Sequence, residues 1–160
     1  MATKKKVGIK VPTKNEILKK YGSMIIQASD TKEPGLWLPS TFFNLNYTLG
    51  GGFPWGKVTE IAGEESSGKS LIALNAAYAC QQLGGSVIWV DAEQSWMNSW
   101  AELNGIDPNK VTVIRDTRIE YISDAVADVA IYLRSQLVNN EPILLVVDSV
   151  AAIDCSDNID

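Results

Sequence analysis

The feature that most constrains the fold is an alternation of two hydrophobic periods along residues 58–148. Four short apolar runs have the length and composition of strands: residues 58–62, 87–90, 111–114 and 143–147. Three longer segments lie between them and predict helices: residues 69–83, 98–104 and 119–137. Parallel strands need such long crossovers, which cover the faces of the sheet with helices. The sequence therefore predicts an α/β fold with a mainly parallel sheet flanked by helices.

Two segments show the pattern most clearly. In the helix at 119–137, apolar side chains recur at steps of four, three, four and four residues: Ile122, Val126, Val129, Leu133 and Leu137. The run at 143–147 is five consecutive apolar residues, as expected of a strand that is buried on both faces. Ligands of parallel sheets bind beyond the carboxyl ends of the strands. The segments beginning at Gly63, Asp91 and Asp148 are therefore expected to carry the chemistry.

Composition excludes several kinds of site. The chain has 160 residues and no histidine, so Ser-His-Asp sites, Cys-His sites and His-ligated zinc are excluded. Its two cysteines, Cys80 and Cys155, form no CxxC pair, which favours a reduced, cytoplasmic compartment. No apolar run reaches the roughly 18 residues that a membrane span needs. We therefore expect a cytoplasmic protein without a membrane partner.

Charge and turn signals divide the chain near residue 35. Residues 1–20 hold seven Lys and one Glu, although the net charge of the whole chain is −5. Thr13 and Glu16 are spaced as a capping box for a helix through Lys20, which Gly22 would end. A strand-like stretch at 23–28 and a polar linker at 29–35 follow. We expect residues 1–35 to be a basic appendage, either solvated or touching an acidic or nucleic-acid partner, and residues 36–160 to form the main body.

The most specific motif is GEESSGKS at residues 63–70, which matches GxxxxGK[ST] between a predicted strand and a predicted helix. Its glycines let backbone N–H groups surround a phosphate chain, and the helix N-terminus adds positive dipole. Lys69 would neutralise the outer phosphates, and the Ser70 hydroxyl would ligate magnesium. An ordinary glycine-rich turn is the alternative, with a chance match of roughly half a percent. The predicted phosphate-binding residues are Gly63, Glu64, Glu65, Ser66, Ser67, Gly68, Lys69, Ser70 and Leu71.

Carboxylates follow two of the predicted strands. Asp148 ends the apolar run at 143–147, where nucleoside triphosphatases of this kind hold magnesium, although an Asp there can also cap a turn. Glu93 is the candidate for the carboxylate that orients or deprotonates the attacking water. Asp91 either stabilises a turn or shares in that chemistry. Trp96 and Trp100 lie four residues apart, and either covers a nucleotide base or packs into the core.

At these residues the sequence resembles the bacterial and phage RecA recombinase family. The resemblance runs over about residues 14–153 and is carried by GGFPWGKVTEIAG at 51–63, ESSGK at 65–69, DAE at 91–93 and VVDSVAA at 146–152. Ser70 stands where the family allows Ser or Thr, and YGS at 21–23 with residues 45–52 extends the similarity upstream.

The resemblance implies a RecA-like core that binds ATP and Mg²⁺. It implies a DNA-dependent ATPase that forms filaments on single-stranded DNA and promotes strand exchange in recombination, repair and the SOS response. Lys69 and Ser70 would hold the triphosphate and magnesium, Glu93 would activate water and Asp148 would serve the metal site. Trp100 stands where the family has an adenine-stacking Tyr. The N-terminal helix and strand would dock onto a neighbouring subunit.

Departures from the family pattern affect the base site and the length. Met97 stands where an acidic contact to adenine is common, and Gln94 replaces a common His. The chain ends at Asp160, whereas the family continues with two DNA-binding loops and further core strands. We therefore expect nucleotide binding, with hydrolysis and DNA binding weak or absent in this chain, and exposed apolar surface beside the strand that ends at Asp148. The alternatives are another RecA-fold ATPase, such as a helicase motor or a clock-type ATPase, and a truncated, non-catalytic protein that caps filaments.

Overall fold

The structure, a computed structural model, describes residues 12–24 and 35–155. The chain divides into two compact units, Met1–Gly35 and Leu36–Asp160. Residues Gly22–Met24 form a short 3-10 turn, so the strand predicted at 23–28 does not start at its first two residues. The rest of that stretch and residues 29–34 of the predicted linker lie outside the described residues.

The first unit contains helix α1, Lys14–Tyr21, and its capping box confirms the predicted start. The Glu16 amide donates to Thr13 Oγ1 at 3.3 Å, and the Thr13 amide donates to Glu16 Oε2 at 2.8 Å. Gly22 ends the helix with φ 54°, a left-handed value that favours glycine. None of the residues of α1 is buried, so its stability within this unit comes from local interactions.

The second unit is built on a parallel sheet of three strands, β3 (Ser86–Asp91), β4 (Val111–Ile114) and β5 (Ile143–Asp148). Their order is β4-β3-β5, with β3 in the centre, and Asp91 lies opposite Asp148 in the register. Helix α3, Lys69–Gln82, connects to β3 and packs against β3 and β5. The α/β fold predicted from the sequence is thereby confirmed.

Successive side chains of β3 point to opposite faces of the sheet and pack in two separate parts of the core. Val87 and Trp89 belong to the main core cluster with Leu74, Ala77 and other small residues of α3. Ile88 and Val90 are buried as well but lie outside that cluster, on the face covered by α5, Ile119–Gln136. Although α5 has 18 residues, neither it nor any other helix in the described part of the chain is long and apolar enough to cross a membrane.

Smaller elements complete the unit. A two-stranded antiparallel ribbon joins β1, Trp37–Leu38, to β2, Phe53–Pro54, and α2, Phe43–Leu49, lies between them in the chain. Helix α4, Asn98–Leu103, follows β3 and ends before Gly105, as predicted. Sequence periodicity did not reveal the ribbon, because each of its strands has only two residues.

Two sequence predictions about strands are wrong. Residues 58–62 form no strand and pair with none of the described strands; Val58 is 97% exposed. A strand requires a hydrogen-bonded neighbour, which hydrophobic periodicity alone does not supply. β5 is not buried on both faces either, because Leu145 is 47% exposed. It also lies at an edge of the sheet, since it pairs only with β3 among the described strands. Its exposure fits the expected apolar surface beside the strand that ends at Asp148.

Candidate functional site

The phosphate-loop motif forms the entry into α3. Residues 63–67 are exposed, and α3 begins at Lys69 directly after Gly68. Gly68 has φ 91° and Ser66 has φ 58°, so two left-handed residues turn the chain sharply at this point. A Cβ atom at position 63 would lie 2.8 Å from Ser67 Oγ, so a larger residue there would require the Ser67 hydroxyl to rotate away.

Backbone donors are available where the loop meets the helix. The first intrahelical bond of α3 runs from the Ile72 amide to the Gly68 carbonyl at 3.1 Å. The amides of Gly68, Lys69, Ser70 and Leu71 therefore precede the first bond, and no side chain caps this end. Four uncapped amides at a helix N-terminus form a favourable site for an anion such as a phosphate group.

Lys69 reaches back over the loop that precedes it. Its Nζ donates to the Gly63 carbonyl at 3.1 Å and to the Glu64 carbonyl at 2.7 Å. The Ser67 amide also donates to Glu64, at 3.3 Å. The ammonium group is thus held over the loop, where a phosphate chain seated on the amides would meet it. Lys69 and Ser70 are half-buried and Leu71 is exposed.

The predicted carboxylates meet at the carboxyl end of the sheet. Asp148 is half-buried at the end of β5, and its carbonyl accepts a hydrogen bond from the Ala92 amide at 3.1 Å. The next residue, Ser149, donates its hydroxyl to Glu93 Oε1 at 2.5 Å. Glu93 is exposed, so its carboxylate is tethered beside the end of β5 and remains accessible to solvent. The structure therefore brings Glu93 and the Asp148 strand end together.

Asp91 stabilises a turn, the first of its two sequence interpretations. Its side chain is fully buried and accepts from the amides of Ser95 at 2.8 Å and Trp96 at 3.1 Å. Arg115, which follows β4, donates from Nε to the same carboxylate at 3.1 Å and from Nη2 to the Trp96 carbonyl at 3.2 Å. The turn that carries Glu93 is therefore held by hydrogen bonds to the buried Asp91 carboxylate and to the Arg115 guanidinium.

The two tryptophans both pack against the core cluster. Trp96 packs against Trp89 with 5.0 Å between ring centroids, and its Nε1 donates to Asn98 Oδ1 at 2.8 Å. Trp96 is thus half-buried and packed against a core residue. Trp100 is half-buried and also packs against the core cluster, and its stacking on a base stays a prediction.

The donor set fits a magnesium nucleotide better than a metal bound by protein ligands alone. No group of three or more Cys, Asp or Glu residues in the described ranges could hold a metal ion. Mg²⁺ in phosphate sites is held by one or two protein oxygens together with phosphate oxygens and water. Ser70 and Asp148 would supply the protein oxygens, and the amides at the start of α3 would hold the phosphates.

Two residues of the site were missed by sequence reasoning, Ser149 as the hydrogen-bond partner of Glu93 and Arg115 as the partner of Asp91. The carboxyl ends of parallel strands lie at one edge of the sheet, and this edge also includes the end of the strand at residues 111–114. Arg115, the first residue beyond β4, could therefore have been expected at the same edge.

Comparison with known proteins identifies the family. The model of the RecA N-terminal domain matches residues 10–160. The chain is 37% identical over 139 residues to Protein RecA of Malacoplasma penetrans, covering 86% of this chain and 40% of that relative. It is 31% identical over 157 residues to Protein RecA of Bacteroides thetaiotaomicron, covering 96% of this chain and 45% of the relative. The chain spans less than half the length of these relatives. It therefore belongs to the RecA family, matching the N-terminal domain.

Proposed function

We propose that this chain is the ATP-binding part of a DNA-dependent ATPase that forms filaments on single-stranded DNA and promotes homologous strand exchange. The observation that carries the proposal is the loop at residues 63–70, whose ammonium group and uncapped helix amides suit a triphosphate. The matches to RecA proteins favour a recombinase over a helicase motor or a clock-type ATPase. Such a protein acts on DNA in the cytoplasm.

Each site residue has a proposed task. The amides of residues 68–71 bind the phosphates, and Lys69 turns from its loop carbonyls to the outer phosphates. Ser70 and Asp148 would hold Mg²⁺, and the chemistry the ion would supply there is neutralisation of phosphate charge. Glu93, tethered by Ser149, orients the attacking water and accepts its proton. Trp100 stacks on the base.

The N-terminal unit is proposed to join subunits of the filament. On α1, Leu18 is 39% exposed and Tyr21 is 42% exposed. Apolar side chains on an exposed helix suit docking onto a second copy. The complete polypeptide, rather than residues 36–160 alone, is proposed to bind single-stranded DNA.

Nucleotide binding is tested by equilibrium titration of this chain with a fluorescent ATP analogue, with and without Mg²⁺. Lys69→Ala removes the charge that faces the phosphates and should weaken binding by at least about tenfold. Lys110→Ala is the matched control, because Lys110 is an exposed lysine outside the loop. Binding that does not depend on magnesium, or that is equally strong in the Lys69 and Lys110 variants, would refute the proposal.

A further inference from the structure

The turn between β3 and α4 is held by a buried ion pair from another strand. Asp91 has a side chain that is 0% exposed, whereas the side chain of Arg115 is 52% exposed. A buried carboxylate requires compensation by donors or a cation, and here two backbone amides and one guanidinium provide it. The pair joins the ends of β3 and β4 across a separation of 24 residues.

We propose that Asp91 and Arg115 are positioning residues for Glu93. The catalytic part of this assignment rests on the proposed ATPase function. Glu93 lies two residues beyond Asp91, inside the segment whose far end, Ser95 and Trp96, is bonded to the Asp91 carboxylate. Arg115 closes the arrangement, because one guanidinium bonds both the carboxylate and the Trp96 carbonyl. These bonds fix the backbone of the segment, and the hydrogen bond from Ser149 fixes the Glu93 carboxylate.

Backbone geometry within the segment shows why such bonds are needed. Gln94, immediately after Glu93, has φ 55°, which is unfavourable for a residue with a side chain. Its amide donates to the Asp91 carbonyl at 3.2 Å, closing a tight turn. A conformation of this kind persists when its surroundings hold it. Without Arg115, the segment loses the hydrogen bond to the Trp96 carbonyl and the cation that compensates burial of the Asp91 carboxylate, so the two amide bonds to Asp91 should open more often.

Arg118 provides a matched control. It lies three residues further along the same loop and is 55% exposed, close to the exposure of Arg115. Its partners are Asp116 and the ring of Tyr121, and it makes no hydrogen bond to Asp91 or Trp96. Removal of either arginine changes the net charge equally and removes one ion pair, but only Arg115→Met removes bonds to the Glu93 segment.

The first experiment measures hydrogen exchange of the Ser95 and Trp96 amides by NMR in this chain and in its Arg115→Met and Arg118→Met variants. Methionine keeps an unbranched side chain but removes the charge and the donors. Exchange of both amides should accelerate by about tenfold to a hundredfold in Arg115→Met, the ratio that corresponds to one hydrogen bond to a charged group. The Gly85 amide, bonded at 3.0 Å to the Cys80 carbonyl in α3, should keep its rate, which excludes global unfolding.

The second experiment measures steady-state ATP hydrolysis with the same substitutions in the complete polypeptide on single-stranded DNA, because hydrolysis by this chain alone is expected to be weak or absent. Arg115→Met should lower kcat by about tenfold while KM, nucleotide affinity and binding stoichiometry stay as in the parent chain. Unchanged stoichiometry shows that a smaller folded fraction is not the cause. Ser95 and Trp96 exchange that is unchanged by Arg115→Met, or equally accelerated by Arg118→Met, overturns the positioning role. If the parent chain binds no nucleotide, the proposed function fails, while the exchange rates still decide whether Arg115 holds the Glu93 segment.

Discussion

Burial of Cys80 makes the stability of the fold sensitive to alkaline pH. Its side chain lies on the inner face of α3 with 0% exposure, and its Sγ contacts the Ser86 and Pro142 carbonyl oxygens at 3.5 and 3.6 Å. Burial removes the thiolate from water and raises the pKa of Cys80 from 9.0 to about 11, although a backbone hydrogen bond from Leu144 acts in the opposite direction.

The sign of the effect follows from proton binding. Below pH 9 the thiol is protonated in both the folded and the unfolded chain, so its full contribution to the free energy of unfolding is present. Between pH 9 and about 11 the unfolded chain releases the proton and the folded chain keeps it, so stability falls as pH rises. With about 1.4 kcal/mol for each unit of pKa difference, the free energy of unfolding should fall by about 3 kcal/mol from this group.

Urea unfolding of the parent chain and of Cys80→Ala at pH values from 8 to 11 measures this contribution. All other ionisable groups are the same in both proteins, so the difference between the two pH profiles isolates Cys80. Cys155→Ala is the matched control, because Cys155 is exposed and its removal should leave the profile unchanged. Equal loss of stability in the parent chain and in Cys80→Ala would refute the reasoning.

Two further substitutions test the packing around the site. Leu74→Ala empties a position of α3 that is 1% exposed and should cost about 2–5 kcal/mol in the free energy of unfolding, whereas Leu103→Ala, at 84% exposure, should cost less than about 0.5 kcal/mol. Gly52 has φ 129°, and Gly52→Ala places a Cβ atom against the Leu38 carbonyl, so this variant should lower the free energy of unfolding by at least about 1–3 kcal/mol. The cost should exceed that of Gly56→Ala, whose Cβ atom meets open space. Equal urea midpoints for the two variants of either pair would contradict these expectations.

Much of the fold was predictable because its signals are local. Helix α1 has its capping box, α3 is stopped by glycines, and α5 has an apolar stripe, so each follows from residues within a few positions. The strands β3, β4 and β5 were found for the same reason. The failure at residues 58–62 has the opposite cause, because pairing depends on which distant segment is available as a neighbour.

The candidate site likewise contains residues that local sequence reveals and one residue that it does not. The loop at 63–70 was recognisable because all of its parts are contiguous in sequence, and Glu93 and Asp148 because each follows an apolar run. Arg115 was not recognisable as a partner of Asp91, since a separation of 24 residues and an ordinary composition leave no local signal.

The sequence by itself determined the α/β class, the phosphate loop and the carboxylates at two strand ends, because these depend on periodicity and on short contiguous motifs. Only the tertiary structure decided which strands pair and that β5 is half-exposed. It also decided that Asp91 is bonded to Arg115 while Glu93 is bonded to Ser149. The physical reason is that the register of parallel strands brings their carboxyl ends to one edge, and side chains far apart in sequence become neighbours there.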